Sequence, residues 1–308
     1  MNASAAVQVE PVAYQGWPHC YRITNGTVEL IVTADIGPRI MRYGFVGGQN
    51  FFWNDPAGVG KSGEAEWQLR GGHRVWVAPE NRLYTYPPDN SPIKIEVSGS
   101  VVTATQPVEK ETNIQKQLII KLDATGTGVE VVHRLINKNL FSLNIAAWAL
   151  SMMAPGGTGI TGFPPRGTHD EYLEPTNPLV MWAYTDFSDP RWKFTKKYVM
   201  LRMDPRVSDP QKLGTFNKST WGAFALGGEL FVKRTDADAS RTYPDFNCSY
   251  ETYTNNQFLE METLGPMTQV PAGGTIEHIE RWSLHKNVKF SAWTDAELDG
   301  VLLPILNR

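Results

Sequence analysis

Gln257-Phe258-Leu259-Glu260-Met261-Glu262-Thr263 is the stretch whose reading decides the fold. Successive residues of a strand point to opposite faces, so Leu259, Met261 and Thr263 share one side and Phe258, Glu260 and Glu262 the other. One side is oily. The other carries two carboxylates about 6–7 Å apart along the backbone, beside an aromatic ring. Charges in a strand otherwise suited to burial are costly unless paired or hydrogen-bonded, so this pair needs a polar cleft. Two readings stand open here: a catalytic pair, or a wet strand face tied by ion pairs to arginine or lysine.

Outward from this stretch the chain keeps the same texture. Asn25-Gly26 is a hairpin turn between alternating segments, and Gly37-Pro38 bends the chain into a third strand ending near Phe45. Short strands follow at 93–97, 101–106, 114–122, 129–136 and 143–153, and again at 221–226, 229–233 and 276–284. Residues 47–92, rich in paired glycines and large rings, read as ordered loops lining a surface. With 27 Gly, 21 Pro and 34 aromatic rings (10 Trp, 11 Tyr, 13 Phe) in 308 residues, the composition favours strands and tight connections over a helical bundle. The expectation is all-β: a large antiparallel sandwich with long ordered loops. Residues 1–20 read as a lead-in, 21–290 as a single domain, and 291–308 as a tail with room for a short helix.

A formal net charge of −3 with 20% charged residues gives no general attraction to nucleic acid or an anionic membrane. The chain has no apolar run of transmembrane length and no basic, greasy leader, so a cytoplasmic protein, monomeric or homodimeric, is expected. Cys20 and Cys248 lie far apart with no paired-thiol motif. Neither a Walker loop, a dinucleotide fingerprint, a nucleophile elbow nor a zinc-protease helix is present, and no cofactor is expected.

Arg70, His73 and Arg74 surround Gly71-Gly72 and set two permanent cations beside a group that titrates near neutrality. With Arg82 and Arg39 they form a cradle for an acidic or hydroxyl-rich ligand, or else tie the loop down through its own carbonyls. His169 sits among Asp170, Glu171 and Glu174, a set without the spacing of a zinc helix or calcium loop, so no metal is expected there. It remains a candidate proton donor. His133 alternates with apolar residues and reads as structural. Trp53, Trp67, Trp76, Trp182 and Trp192 lie in loop or loop-edge sequence, where indole faces suit the C–H faces of a sugar.

Several short motifs bear a family likeness. Gly26-Thr-Val-Glu-Leu-Ile-Val, Asp35-Ile-Gly-Pro-Arg-Ile, Leu69-Arg-Gly-Gly, Leu135-Ile-Asn-Lys, Phe258-Leu-Glu, Pro271-Ala-Gly-Gly and Glu280-Arg-Trp-Ser-Leu together resemble the galactose mutarotase-like superfamily. That superfamily includes aldose 1-epimerases and hexose-6-phosphate 1-epimerases, and the nearest look is to a bacterial branch of it. The resemblance spans roughly residues 20–285 and implies a β-supersandwich that binds a sugar, with Glu260 as catalytic base. The family's acid histidines fall on Arg70, with His73 three residues on, and on Trp148. The resemblance therefore leaves His73 or His169 as the acid. Arg70, Arg74, Arg82, Glu262, Trp76, Trp148 and Trp192 are the expected substrate contacts. The Arg-Gly-Gly form is closer to the branch in which cations meet a phosphate. Besides anomer interconversion, a non-catalytic carbohydrate-binding or regulatory role and cofactor-free cleavage of a glycan or uronate fit the same residues.

Overall fold

Alternation drives the architecture. Ile114–Leu122 and Val129–Asn137 each bury every second side chain, a strand packed on one face and wetter on the other. In the computed structural model, which describes residues 6–307, such strands form two antiparallel sheets of eleven and ten strands. The first runs Gln8–Tyr14, Trp17–Thr24, Val28–Thr33, Arg39–Phe45, His73–Ala78, Leu143–Met153, Leu259–Leu264, Tyr250–Thr254, Gln211–Thr215, Leu179–Met181, with Thr268–Val270 added beside Leu143–Met153. Glu229–Asp236 and Thr275–Lys286 lie at the middle of the second. Leu213, Leu259 and Met261 of the first sheet meet Phe224, Phe231 and Trp282 of the second in one core. This all-β sandwich matches the architecture expected from the sequence.

Two segments differ from expectation. Residues 8–20 are not a loose lead-in but belong to an edge hairpin, Gln8–Tyr14 paired with Trp17–Thr24. The edge strand has no fully buried residue, so it shows no oily face by which to recognise it. Within the presumed loops of 47–92, His73–Ala78 is a fully buried strand in the middle of the first sheet. Its alternation, Val75 and Val77 against Arg74 and Trp76, is present in the sequence but short. In the tail, Asp295–Leu306 is a helix whose N-cap Thr294 accepts from the Glu297 amide, and Leu298 and Leu302 bury beneath it. No helix among the described residues is long and apolar enough to cross a membrane.

The entry to the His73–Ala78 strand is fixed by a tight crossing of backbones. Gly71 has φ +87°, and a Cβ there would lie 2.2 Å from the Trp53 carbonyl oxygen. Arg39, buried, donates to the Leu69 and Gly71 carbonyls at 3.0 and 2.9 Å while pairing with Asp89 at 2.8 Å. Glycine is required here by both dihedral and space. Gly71→Ala is expected to lower stability by more than about 2 kcal/mol, read as an earlier urea midpoint.

Candidate functional site

Register places the charged residues. Across the first sheet Leu150 lies opposite Arg74 on one side and Glu262 on the other, Met152 lies opposite Glu260, and Trp148 lies opposite Trp76. Tyr253 is opposite both Glu260 and Lys212, and Glu251 is opposite Glu262. All of these side chains therefore project from the outer face, away from the second sheet.

On this face Arg74 stacks on the indoles of Trp76 and Trp67, 4.0 and 5.4 Å from the ring centroids, and lies 3.9 Å from Glu260. Burial pulls its guanidinium down to about 10. Glu260 keeps 13% of its side chain exposed. Burial, then the neighbouring Glu262, push its carboxyl up to about 7, and Arg74 opposes them only in part. Lys212 lies between the rings of Trp148 and Trp182, 2.8 Å from Glu251 and 3.0 Å from Glu262. Burial lowers the Lys212 ammonium, but the two carboxylates outweigh it and hold it well above its usual range. Burial, with Glu262 beside it, pushes Glu251 up against the pull of Lys212. Trp148 Nε1–H donates to Glu262 at 2.8 Å.

Above this floor the loops border an open hollow of about 1030 Å³. Trp67, Tyr86 and Trp182 line it, with Glu80 and Arg82 among the polar residues of its wall. Trp67 and Tyr86 pack on Trp76 at 5.6 and 5.1 Å, which joins the wall to the Arg74 and Glu260 floor. Glu260 lies beside the hollow rather than on its wall. The volume is more than enough to admit a sugar and the rings supply stacking faces.

The expected site residues divide into those brought to this face and those kept from it. Glu260, Glu262, Arg74, Trp76 and Trp148 share the face, and Arg82 is exposed on the hollow's wall. Arg70 does not join them: it is buried, donating to the Gly58 carbonyl at 2.6 Å and pairing with Glu64, so it ties loop to loop. Trp192 belongs to the second sheet, buried, with its Nε1–H on Gln211 at 3.0 Å. His169 is exposed on the loop at 163–178 and does not line the hollow.

His73 points the other way. Being one residue before Arg74 on a strand, it faces the second sheet and is fully buried. There it joins a polar network. His133 Nδ1–H donates to the His278 carbonyl at 2.8 Å, so its Nε2 accepts from His73 Nε2–H at 2.6 Å. His73 Nδ1 then accepts from Ser151 at 2.8 Å, and Ser151 accepts from Lys233 at 3.2 Å. Lys233 pairs with Glu280 at 2.7 Å and donates to the Met261 carbonyl at 2.9 Å. Glu280 also accepts from Trp282 at 2.8 Å and Thr263 at 2.5 Å. Burial, together with the Lys233 charge and the neighbouring histidines, holds His73 well below its usual range, although Glu280 opposes them. Ligating atoms of His73, His133 and Glu280 lie within 4.8 Å of one another, but Lys233 already supplies the cation that Glu280 needs.

Lys212, Glu251 and Tyr86 were not singled out as site residues by sequence, whereas Trp182 was among the loop indoles expected to suit a sugar and does line the hollow. The signal for Lys212 and Glu251 lay only in cross-strand pairing, which no local pattern reveals.

Comparison of the sequence with protein-family models and with curated proteins gives no match. Comparison of the fold does. A candidate aldose 1-epimerase from Klebsiella pneumoniae superposes with a TM-score of 0.60 at 11% identity, over 98% of this chain and 87% of its own. A galactose mutarotase-like protein from Lactobacillus casei gives 0.55 at 14% identity, over 86% of this chain and 100% of its own. A galactose mutarotase related enzyme from Lactobacillus acidophilus gives 0.51 at 10% identity, over 88% and 100%. The architecture is thus that of the galactose mutarotase-like β-supersandwich.

Removing one member of the buried pair tests the network's role. Lys233→Met leaves Glu280 charged and unpaired in the interior, and is expected to cost about 3–5 kcal/mol by urea unfolding. Adding Glu280→Met to that variant is expected to restore much of the loss.

Proposed function

We propose that the protein binds a sugar ring on the outer face of its first sheet and that Glu260 interconverts the ring's anomers. One observation carries this reading: a partly open carboxyl, pushed up to about 7, lies beside a ring-lined hollow with ample room for a sugar. Such a group is divided between acid and base near neutrality, the condition general acid–base chemistry favours.

With His73 behind the strand and no histidine among the described residues lining the hollow, the acid role falls to Glu260's own proton. One carboxyl oxygen donates a proton to the ring oxygen while the other accepts the proton of the C1 hydroxyl. Both sugar oxygens are bonded to C1, so a single carboxyl spans them. The bond from C1 to the ring oxygen breaks, C1 becomes an aldehyde, the C1–C2 bond rotates, and the reverse transfer closes the other anomer. The carboxyl ends as it began. Arg74 and Arg82 offer donors to sugar hydroxyls, Trp67 and Trp182 offer stacking faces, and Glu262 positions Trp148 and Lys212.

Glu260→Gln is expected to slow anomer equilibration by at least about 100-fold while sugar affinity changes little, measured by polarimetry beside calorimetry. The sign of the pH dependence distinguishes the mechanism. A single carboxyl must carry its proton to start, so the rate is expected to be high below about 7 and to fall as pH rises through it. A rate that rises through the same range contradicts the single-carboxyl route and calls for a separate acid. The same absence of a facing histidine favours a second reading, sugar binding without chemistry. Wild-type protein that binds a sugar yet leaves its anomers at the uncatalysed rate selects that reading.

A further inference from the structure

We infer that the ligand of this site carries a positive charge, as a protonated amino sugar does, rather than a phosphate or carboxylate. This rests on the sugar-binding reading above. Glu66, Glu80, Glu111 and Asp245 all line the hollow, and Arg82 is the one cation among the described residues that line it. The floor does not reverse that sign. Lys212 is engaged by two carboxylates, Glu251 and Glu262, and Arg74, even when Glu260 carries its proton, adds one positive charge against the four acids of the wall.

The floor beneath the hollow, which does not line it, keeps polar atoms unpaired. Arg74 Nε and Glu262 Oε1, on side chains almost wholly buried on the outer face, have no hydrogen-bond partner. Glu80 also accepts from the Tyr86 hydroxyl, which fixes its carboxylate at the wall. Carboxylates on several sides of a recess bounded by aromatic walls concentrate a negative potential there, which attracts an ammonium group and repels a phosphate.

Calorimetry on the full chain at low salt and slightly acidic pH, with glucosamine, glucose and glucose 6-phosphate as probes, tests this. Glucosamine is expected to bind roughly three- to tenfold more tightly than glucose, and glucose 6-phosphate more weakly than either. Added salt is expected to close the gap, because these carboxylates lie near solvent. Glu66→Gln with Glu111→Gln, both exposed positions, is expected to narrow it without unfolding the chain. Glucose binding with no preference for the amine, or tighter binding of the phosphate, overturns the charge inference and leaves the sugar-binding reading standing. Failure of all three probes to bind overturns both.

Discussion

Everything at the candidate site depends on the two-residue period of three adjoining strands, His73–Ala78, Leu143–Met153 and Leu259–Leu264. In that register one set of side chains goes to the dry interval between the sheets and the next set to the outer face. Ser151, Met261 and Thr263 go inward, while Leu150, Glu260 and Glu262 go outward. A slip of one residue would exchange the two sets, placing two carboxylates among hydrocarbon. The Lys233 ammonium opposes such a slip, since it holds the Met261 carbonyl, between Glu260 and Glu262, and the Ser151 hydroxyl on the neighbouring strand. The buried network and the partly open carboxyl are two sides of one layer.

That layer separates two kinds of polar chemistry. Inside, three histidines, a lysine and a glutamate satisfy one another, and burial, the largest influence on each histidine, keeps the rings neutral. Outside, Glu260 lacks a close partner: its nearest cation stands at 3.9 Å and is shared with two indole faces. A carboxylate fully paired by arginine would be held low and inert. One that is desolvated but weakly paired rises toward neutrality and can exchange a proton.

Much of this was legible in the sequence. The strand at 257–263, its split into an oily and an acidic side, and the sandwich architecture follow from alternation and turn residues alone. Glu260, Glu262, Arg74, Trp76 and Trp148, all named from the sequence, meet on one face. The error over His73 came from reading 73–78 as loop. Once His73-Arg74-Val75-Trp76-Val77 is a strand, neighbours on the chain are on opposite sides of the sheet, and the histidine and arginine cannot serve one pocket. Arg70, on the loop, was lost to a different cause: its left-handed backbone, φ 56°, turns it toward Gly58 and Glu64. Lys212 and the acidic wall of the hollow depend on contacts between distant segments, which composition and spacing do not encode.

The most direct test of this account is a carbon-13 NMR titration of the Glu260 side-chain carboxyl, assigned by its loss in Glu260→Gln. The account predicts a midpoint near 7 and a shift of that signal when a sugar is added. A midpoint in the ordinary carboxylate range, with no response to any sugar, would contradict it.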